Sequence, residues 1–345
     1  MDQFICLRMI QMNGVDLARF QFDYDMSFAV IFMNADGMIY GRFGTRDAKP
    51  EEADRDISLE GMRAAMEAVL ALHRNYPDNA ASLVAKRGPT PRYPTAEQYP
   101  KMKEYTPQIN YDNEVAKSCI HCHQIHDAER QEFRDAFQPV PPEILYPYPM
   151  PEVIGITLDP RKRASVRKVA EGSAAAKAGI KVGDELVLAQ GQALVSVADF
   201  QWVLHRTAAS GAEIPLQVRR SRESVGLTLN LESGWRTGSD FGWRVSTWDL
   251  RRMVLGGMVL EPDKSKERTP LGLRVKNVGR YGNHAVARDA GVRPDDRLVS
   301  VAGVTEESTE AELIAHILEK TKKGDHIPIR VLRGGQELDF SIKTQ

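Results

Sequence analysis

The stretch SCIHCHQIH, residues 118–126, sets two of the chain's three cysteines three apart with a histidine directly behind the second. Residues three apart on a helix share a face, so Cys119 and Cys122 could both reach the two vinyl groups of one porphyrin while His123 turns its imidazole to the iron. The same residues with His126 read C-x2-C-H-x2-H, thiolates and imidazoles suited to zinc or copper. Adjacent Cys122 and His123 project about 100° apart around a helix, which works against one tetrahedral ion taking all four. A redox-active dithiol, its thiol pKa lowered by the histidines, is the third chemistry this spacing allows.

The motif is expected on a helix over about residues 112–137, inside an extended, turn-rich stretch. GPTPRYPTAEQYP (88–100) and PVPPEILYPYPMP (139–151) hold most of the 19 prolines, and proline blocks both ladders and helices. Ahead of it, MSFAVIFMNADGMIYGRFGT (26–45) reads as a hairpin turning at Asp36-Gly37, followed by an acidic loop. SLEGMRAAMEAVLALHRNYP (58–77) places Leu59, Met62, Met66, Val69 and His73 at helical spacing, with Ser58 as N-cap and Pro77 past the end. FICLRM (4–9) reads as a strand holding Cys6 as a small buried hydrophobe. A strand so near the first residue predicts that upstream residues, an export signal among them, are absent from this chain.

At 345 residues and 42% hydrophobic content the chain can bury more than one core. With a formal net charge of -1 and 27% charged residues, nothing global argues for nucleic acid or an anionic membrane as partner. No apolar run approaches the roughly 20 residues a bilayer span needs. Three cysteines cannot build a disulfide framework.

Beyond residue 151 the chain repeats itself. AGIKVGDELVLAQGQ (178–192) is echoed by AGVRPDDRLVSVAGV (290–304), and EIPLQVRR (213–220) by HIPIRVLR (326–333). Each copy reads as strands, a small-residue helix, the Ala-Gly turn, and two more strands around a helix; Asp295 stands where the first copy has Gly183. Between the copies, residues 234–253 hold three of the four tryptophans interleaved with arginines. Rings and guanidiniums there are expected to stack on one another as a connector that fixes the two modules. No Gly-Asn-Ser-Gly-Gly or Gly-x-Ser-x-Gly occurs, so no serine-protease centre is expected.

Three resemblances follow from these residues. Cys119-Ile120-His121-Cys122-His123 resembles the attachment site of c-type cytochromes, which implies haem c held covalently through Cys119 and Cys122 with His123 on the iron. In that family the second axial ligand is commonly a methionine before proline, as in Met150-Pro151; Met102 is a further candidate. Haem attachment of this kind implies a periplasmic or cell-envelope location and a redox partner. The hairpin, glycine-rich turn and helix of the first 77 residues resemble the C-terminal half of a thioredoxin-like domain, although that segment carries no Cys-x-x-Cys and no proline before FAVIF. The repeats, through EGSAAAKAGIKVGDEL, resemble PDZ domains in the order found in bacterial envelope proteases. This implies that a peptide C-terminus or extended peptide adds to a sheet edge beside a hydrophobe-Gly-hydrophobe loop, at Ile154, Gly155 and Ile156 in the first copy and Leu271, Gly272 and Leu273 in the second.

The expected architecture is α+β and multidomain: a partial thioredoxin-like domain (1–88), a proline-rich helical haem-motif segment (89–150), a PDZ-like barrel or sandwich (151–231), the Trp/Arg connector (232–265) and a second PDZ-like domain (266–345). Its functions would be haem-based redox or sensing chemistry coupled to peptide binding. The competing reading is a non-enzymatic adaptor with a structural metal or dithiol site.

Overall fold

The computed structural model describes residues 2–44, 57–112 and 114–345. The acidic loop expected after the hairpin falls on 45–56, outside the described residues. The chain divides into two compact units, Met1–Ile125 with Tyr146–Ser239, and His126–Leu145 with Asp240–Gln345. The hairpin region, the cysteine loop and the first repeat therefore share one body, where three domains were expected.

In that body β1 (Val30–Met33) and β2 (Ile39–Phe43) pair antiparallel. Their turn closes as the sequence predicts, with Gly37 at φ +79° and the Asn34 side chain accepting from the Met38 amide at 2.8 Å. FICLRM forms no strand: β1 and β2 stand as a two-stranded sheet of their own, and Cys6, expected buried, is exposed beside Ile5 and Leu7. Helix α1 (Leu59–Arg74) starts at Ser58, whose hydroxyl accepts from the Gly61 amide at 2.9 Å and donates to the Pro160 carbonyl at 2.9 Å. Its buried stripe is Gly61, Ala65 and Val69, while Leu59 is 86% exposed. Close approach decides this: a Cβ on Gly61 would lie 2.0 Å from the Pro160 carbonyl oxygen, so the helix turns its smallest residues inward. α2 (Val115–Ser118), α3 (His123–Asp135) and α4 (Pro142–Leu145) follow.

In the first repeat β3 (Ile156–Leu158) and β4 (Val166–Val169) pair antiparallel. After the short α5 (Ala174–Lys177) come β5 (Glu185–Ala189), β6 (Gln192–Ala193), α6 (Val197–Arg206), β7 (Ala212–Arg220) and β8 (Glu223–Leu231), with the strands ordered β6-β5-β7-β8. Alternation along β7 buries Ile214, Leu216 and Val218.

The second repeat has the same plan: α7 (Thr247–Leu255), β9 (Met258–Pro262), β10 (Leu273–Val278), α8 (Val286–Asp289), β11 (Arg297–Val301), α9 (Glu310–Lys320), β12 (His326–Arg333) and β13 (Gln336–Lys343), in one sheet ordered β13-β12-β11-β10-β9. It begins with β9, inside the stretch expected as connector. Both repeats share one ion pair, between a buried aspartate and a partly exposed arginine. Arg220 grips Asp184 through two bonds of 2.8 Å, and Arg333 grips Asp296 through two of 2.6 Å. Asp295 keeps the turn that Gly183 makes, at φ +68° against +90°, and its amide donates to the Val275 carbonyl as that of Gly183 does to Val166.

Asp199 of α6 ties the first repeat to β2. Its carboxylate accepts from Lys86 Nζ at 2.8 Å, from the Arg42 amide at 2.9 Å and from the Val195 amide at 3.1 Å, and both Lys86 and Asp199 side chains are 1% exposed. Arg42 lies over Trp202 at 3.9 Å and donates to the carbonyls of Gln21 and Lys86 at 2.7 Å each. Burial pushes the Lys86 ammonium and the Arg42 guanidinium below their ordinary values, and Asp199 opposes that shift in both. Asp199→Ala strands a buried ammonium and is expected to cost about 3–5 kcal/mol, read as a lower urea midpoint for the first unit.

Candidate functional site

The first repeat offers an open sheet edge. A 3-10 turn, Pro151–Ile154, ends at Gly155 with φ +87°. A side chain is impossible at Gly155, where a Cβ would meet that of Ser173 at 2.2 Å. Its amide donates to the Glu152 carbonyl at 2.9 Å, so it is spent within the loop and is not part of the anion nest expected at Ile154, Gly155 and Ile156. Its carbonyl accepts from the Ala170 amide at 2.8 Å. That bond fixes the ladder phase: Gly155 and Ala170 form a hydrogen-bonded pair, Ile156 and Val169 a non-bonded one, so the N–H and C=O of Ile156 point away from β4. The side chains of Ile154 and Ile156 are buried and anchor the loop in the core.

The counterpart in the second repeat is not Leu271-Gly272-Leu273. Those residues lie at the far end of the β9–β10 hairpin, where the Gly272 amide donates to Thr269 and its carbonyl accepts from the Asp263 amide at 2.8 Å. The equivalent loop is Gly256-Gly257-Met258, with Gly257 at φ +85° and its carbonyl accepting from the Gly279 amide at 3.0 Å, as that of Gly155 does from Ala170. Leu-Gly-Leu fits the local pattern better than Gly-Gly-Met, and only ladder register tells them apart. A longer hairpin between β9 and β10 moves the true loop further from the Ala-Gly turn and so hides it in the sequence.

The cysteine motif does not lie on one helix. α2 ends at Ser118, Cys119 is extended at φ -85° and ψ 123°, Cys122 sits in a turn, and α3 begins at His123. The cause is Asn13. Its side-chain amide donates to the carbonyls of Ser118 at 2.9 Å and Thr106 at 2.8 Å, while its oxygen accepts from the Ile120 amide at 2.8 Å. The Met12 amide donates to the Ile120 carbonyl at 3.0 Å, and Ile120 is fully buried. Residues 118–120 therefore pair with 12–13 and leave the helical path. No signal local to the motif could have found Asn13, which is 105 residues from Ser118.

Cys119 and Cys122 are free, half-buried thiols. Burial pushes the Cys122 thiol up, the reverse of the lowering expected from the histidines. His121 and His123 stack with centroids 6.0 Å apart. Among the described residues, the ligand atoms of Cys119, Cys122 and His126, the set expected for zinc or copper, do not all lie within 4.8 Å of one another. His126 is buried, with Nδ1 facing Glu129 at 3.1 Å. Met150 lies against α6, its sulfur accepting from Gln201 Nε2 at 3.0 Å. Tyr148 stacks on His205 at 4.0 Å beside it, and Met102 is buried. In the former connector, Arg236 donates to the carbonyls of Tyr146, Leu204, His205 and Thr207 and lies 5.1 Å over Trp235. Arg244 and Arg251 lie over Trp243 and Trp248 at 4.6 and 5.4 Å, so the rings and guanidiniums do stack on one another.

Comparison with known proteins supports the first repeat. Residues 152–231 match the family model described as PDZ domain, so the chain contains a PDZ domain. No curated protein matches the sequence. Two similar solved structures are a variant of the HtrA-type protease AlgW with decapeptide (15% identity, 53% of this chain and 54% of that chain, TM-score 0.26) and the HtrA-type protease AlgW with decapeptide (17%, 52% and 54%, TM-score 0.25). The chain thus spans about half the length of the solved structures it matches. No helix among the described residues is long and apolar enough to cross a membrane.

Because its thiolate is disfavoured, Cys122 in the full chain is expected to react with iodoacetamide on a rate profile centred at higher pH than that of a model peptide thiol. A profile centred at or below that of the free peptide thiol would place an unrecognised cation beside Cys122. Asn13→Ala removes two bonds at residues 118–120 and one to Thr106, and in the same assay both cysteines should label severalfold faster as the loop loosens.

Proposed function

We propose that this chain is a peptide-binding protein of the bacterial envelope that carries a c-type haem beside its PDZ domain. The observation that carries the peptide reading is the outward N–H and C=O of Ile156, on a strand that among the described residues has no further strand on that side. An extended peptide adds there as a new strand, its end approaching the positive-φ loop at Gly155. Affinity comes from main-chain bonds, and selectivity from the peptide side chains that face α6.

The cysteine loop supports haem rather than a tetrahedral ion. Two thiols held on either side of the buried Ile120 suit two attachment points on one macrocycle, and His123 directly follows the second thiol at the start of α3. Cys119 and Cys122 would hold the haem as thioethers, each S–H adding across one vinyl double bond, and His123 would ligate the iron. When attached, the group supplies one-electron exchange. Met150, the expected second ligand, now accepts from Gln201 Nε2, a weak bond that ligation would displace. The protonated Cys122 thiol supports the second reading, an adaptor whose cysteines are chemically quiet.

After export in a host with c-type maturation, the full chain should give a pyridine haemochrome spectrum that stays with the polypeptide through acid-acetone extraction. Cys119→Ala with Cys122→Ala should lose it and keep peptide binding. A colourless wild-type chain would leave the adaptor standing. Titration with an extended peptide should slow hydrogen exchange at the Ile156 amide by about 10-fold or more; unchanged exchange at saturating peptide sinks strand addition.

A further inference from the structure

The two repeats differ at the edge where a peptide would add. In the second, Gly257 and Gly279 form a hydrogen-bonded pair, as do Asp263 and Gly272, and the bulge between them sets both Met258 and Leu260 with their N–H groups away from β10. The outward amide of Leu260 is not left open. It donates to Glu310 Oε1 at 2.7 Å, and Arg251 of α7 holds the same carboxylate through Nε at 3.0 Å and through its terminal nitrogen at 2.5 Å. Both charged side chains are 11% exposed. Glu310 is the first residue of α9, and the first residue of α6, at the matching place, is Val197. The first repeat has no carboxylate there.

We propose that the second repeat receives an extended acidic peptide, Arg251 taking its side-chain carboxylate and the Leu260 amide its main chain, and that Glu310 fills both places as an internal stand-in while the repeat is unliganded. The inference rests on the strand-addition reading of the first repeat. A strand whose last residue reaches Met258 sets the third residue from its end against Leu260, since outward groups recur every second residue. A glutamate or aspartate there can take over Glu310's contacts to Arg251, and the peptide main chain takes the Leu260 amide. The second repeat is thereby selective for acidic peptides and self-capped without them, whereas the first, with Val197, is open and apolar at that position.

The test uses the full chain, Glu310→Ala and Glu310→Gln, with two decapeptide probes of Gly-Ser repeats ending in Val-Glu-Val-Val or Val-Gln-Val-Val. Amide exchange is followed at Leu260 and Ile156. In Glu310→Ala the Leu260 amide should exchange about 10-fold faster than in wild type, the loss of one charge-assisted bond. The Glu probe should then slow it again, and bind the second repeat at least 10-fold more tightly than the Gln probe does, because Arg251 is uncompensated. Glu310→Gln keeps an acceptor for Leu260 but loses the ion pair and should fall between. Equal Leu260 exchange in wild type and both variants would show that Glu310 caps nothing. A freed Leu260 that neither probe protects, or that both protect equally, would reduce Glu310 to a guard on an edge strand. Protection of Ile156 in the same samples reports on strand addition at the first repeat and separates the two failures.

Discussion

A single buried carboxylate organises the first unit. Asp199 lies on α6 and accepts from a lysine, from the β2 backbone and from the backbone ahead of its own helix. With Arg42 packed over Trp202, and Trp202 donating to the Ala85 carbonyl at 2.9 Å, charge and apolar surface are satisfied together. A buried ion pair of this kind adds little net stability over an apolar pair but is costly to break, so its effect is to fix one arrangement. That arrangement makes hairpin, α1 and PDZ domain one body. Gly41 is part of it, since a Cβ there would lie 2.3 Å from Val195 and 2.8 Å from Asp199.

The two repeats are alike where the fold needs them to be. The paired Asp184–Arg220 and Asp296–Arg333 contacts each lock the Ala-Gly turn to the penultimate strand. The aspartate in each also accepts the amide three residues earlier, at Lys181 and Arg293, both at 2.8 Å. They diverge where a ligand would lie. One β3 edge faces an α6 that begins with valine; the other β9 edge is held by a glutamate on α9. Equal frames with unequal grooves are what tandem binding modules need if the two are to choose different partners.

The cysteine loop follows a similar logic of remote support. Its backbone is shaped by Asn13, far away in sequence, and its thiols are free and half-buried. Support of this kind gives a covalent or coordinating group a fixed seat before the group arrives.

Much of the frame was legible in the sequence because it rests on local rules. The Asp-Gly hairpin, the Ser58 cap and the repeated strands with their alternating Ile214, Leu216 and Val218 all follow from turn chemistry, capping and period. So do the paired Ala-Gly turns, and the positive φ of Asp295 is a choice the residue type itself permits. What the tertiary structure decided is where one chain segment meets another. It gave α1 its small-residue face against Pro160, broke the expected helix at Cys119 through Asn13, left FICLRM exposed, and moved the second loop from Leu271–Leu273 to Gly256–Met258. For α1, the cysteine loop and the second loop the reason is shared: close approach, a distant side-chain amide and ladder register act between residues tens to a hundred positions apart, and periodicity within a short window carries no record of them.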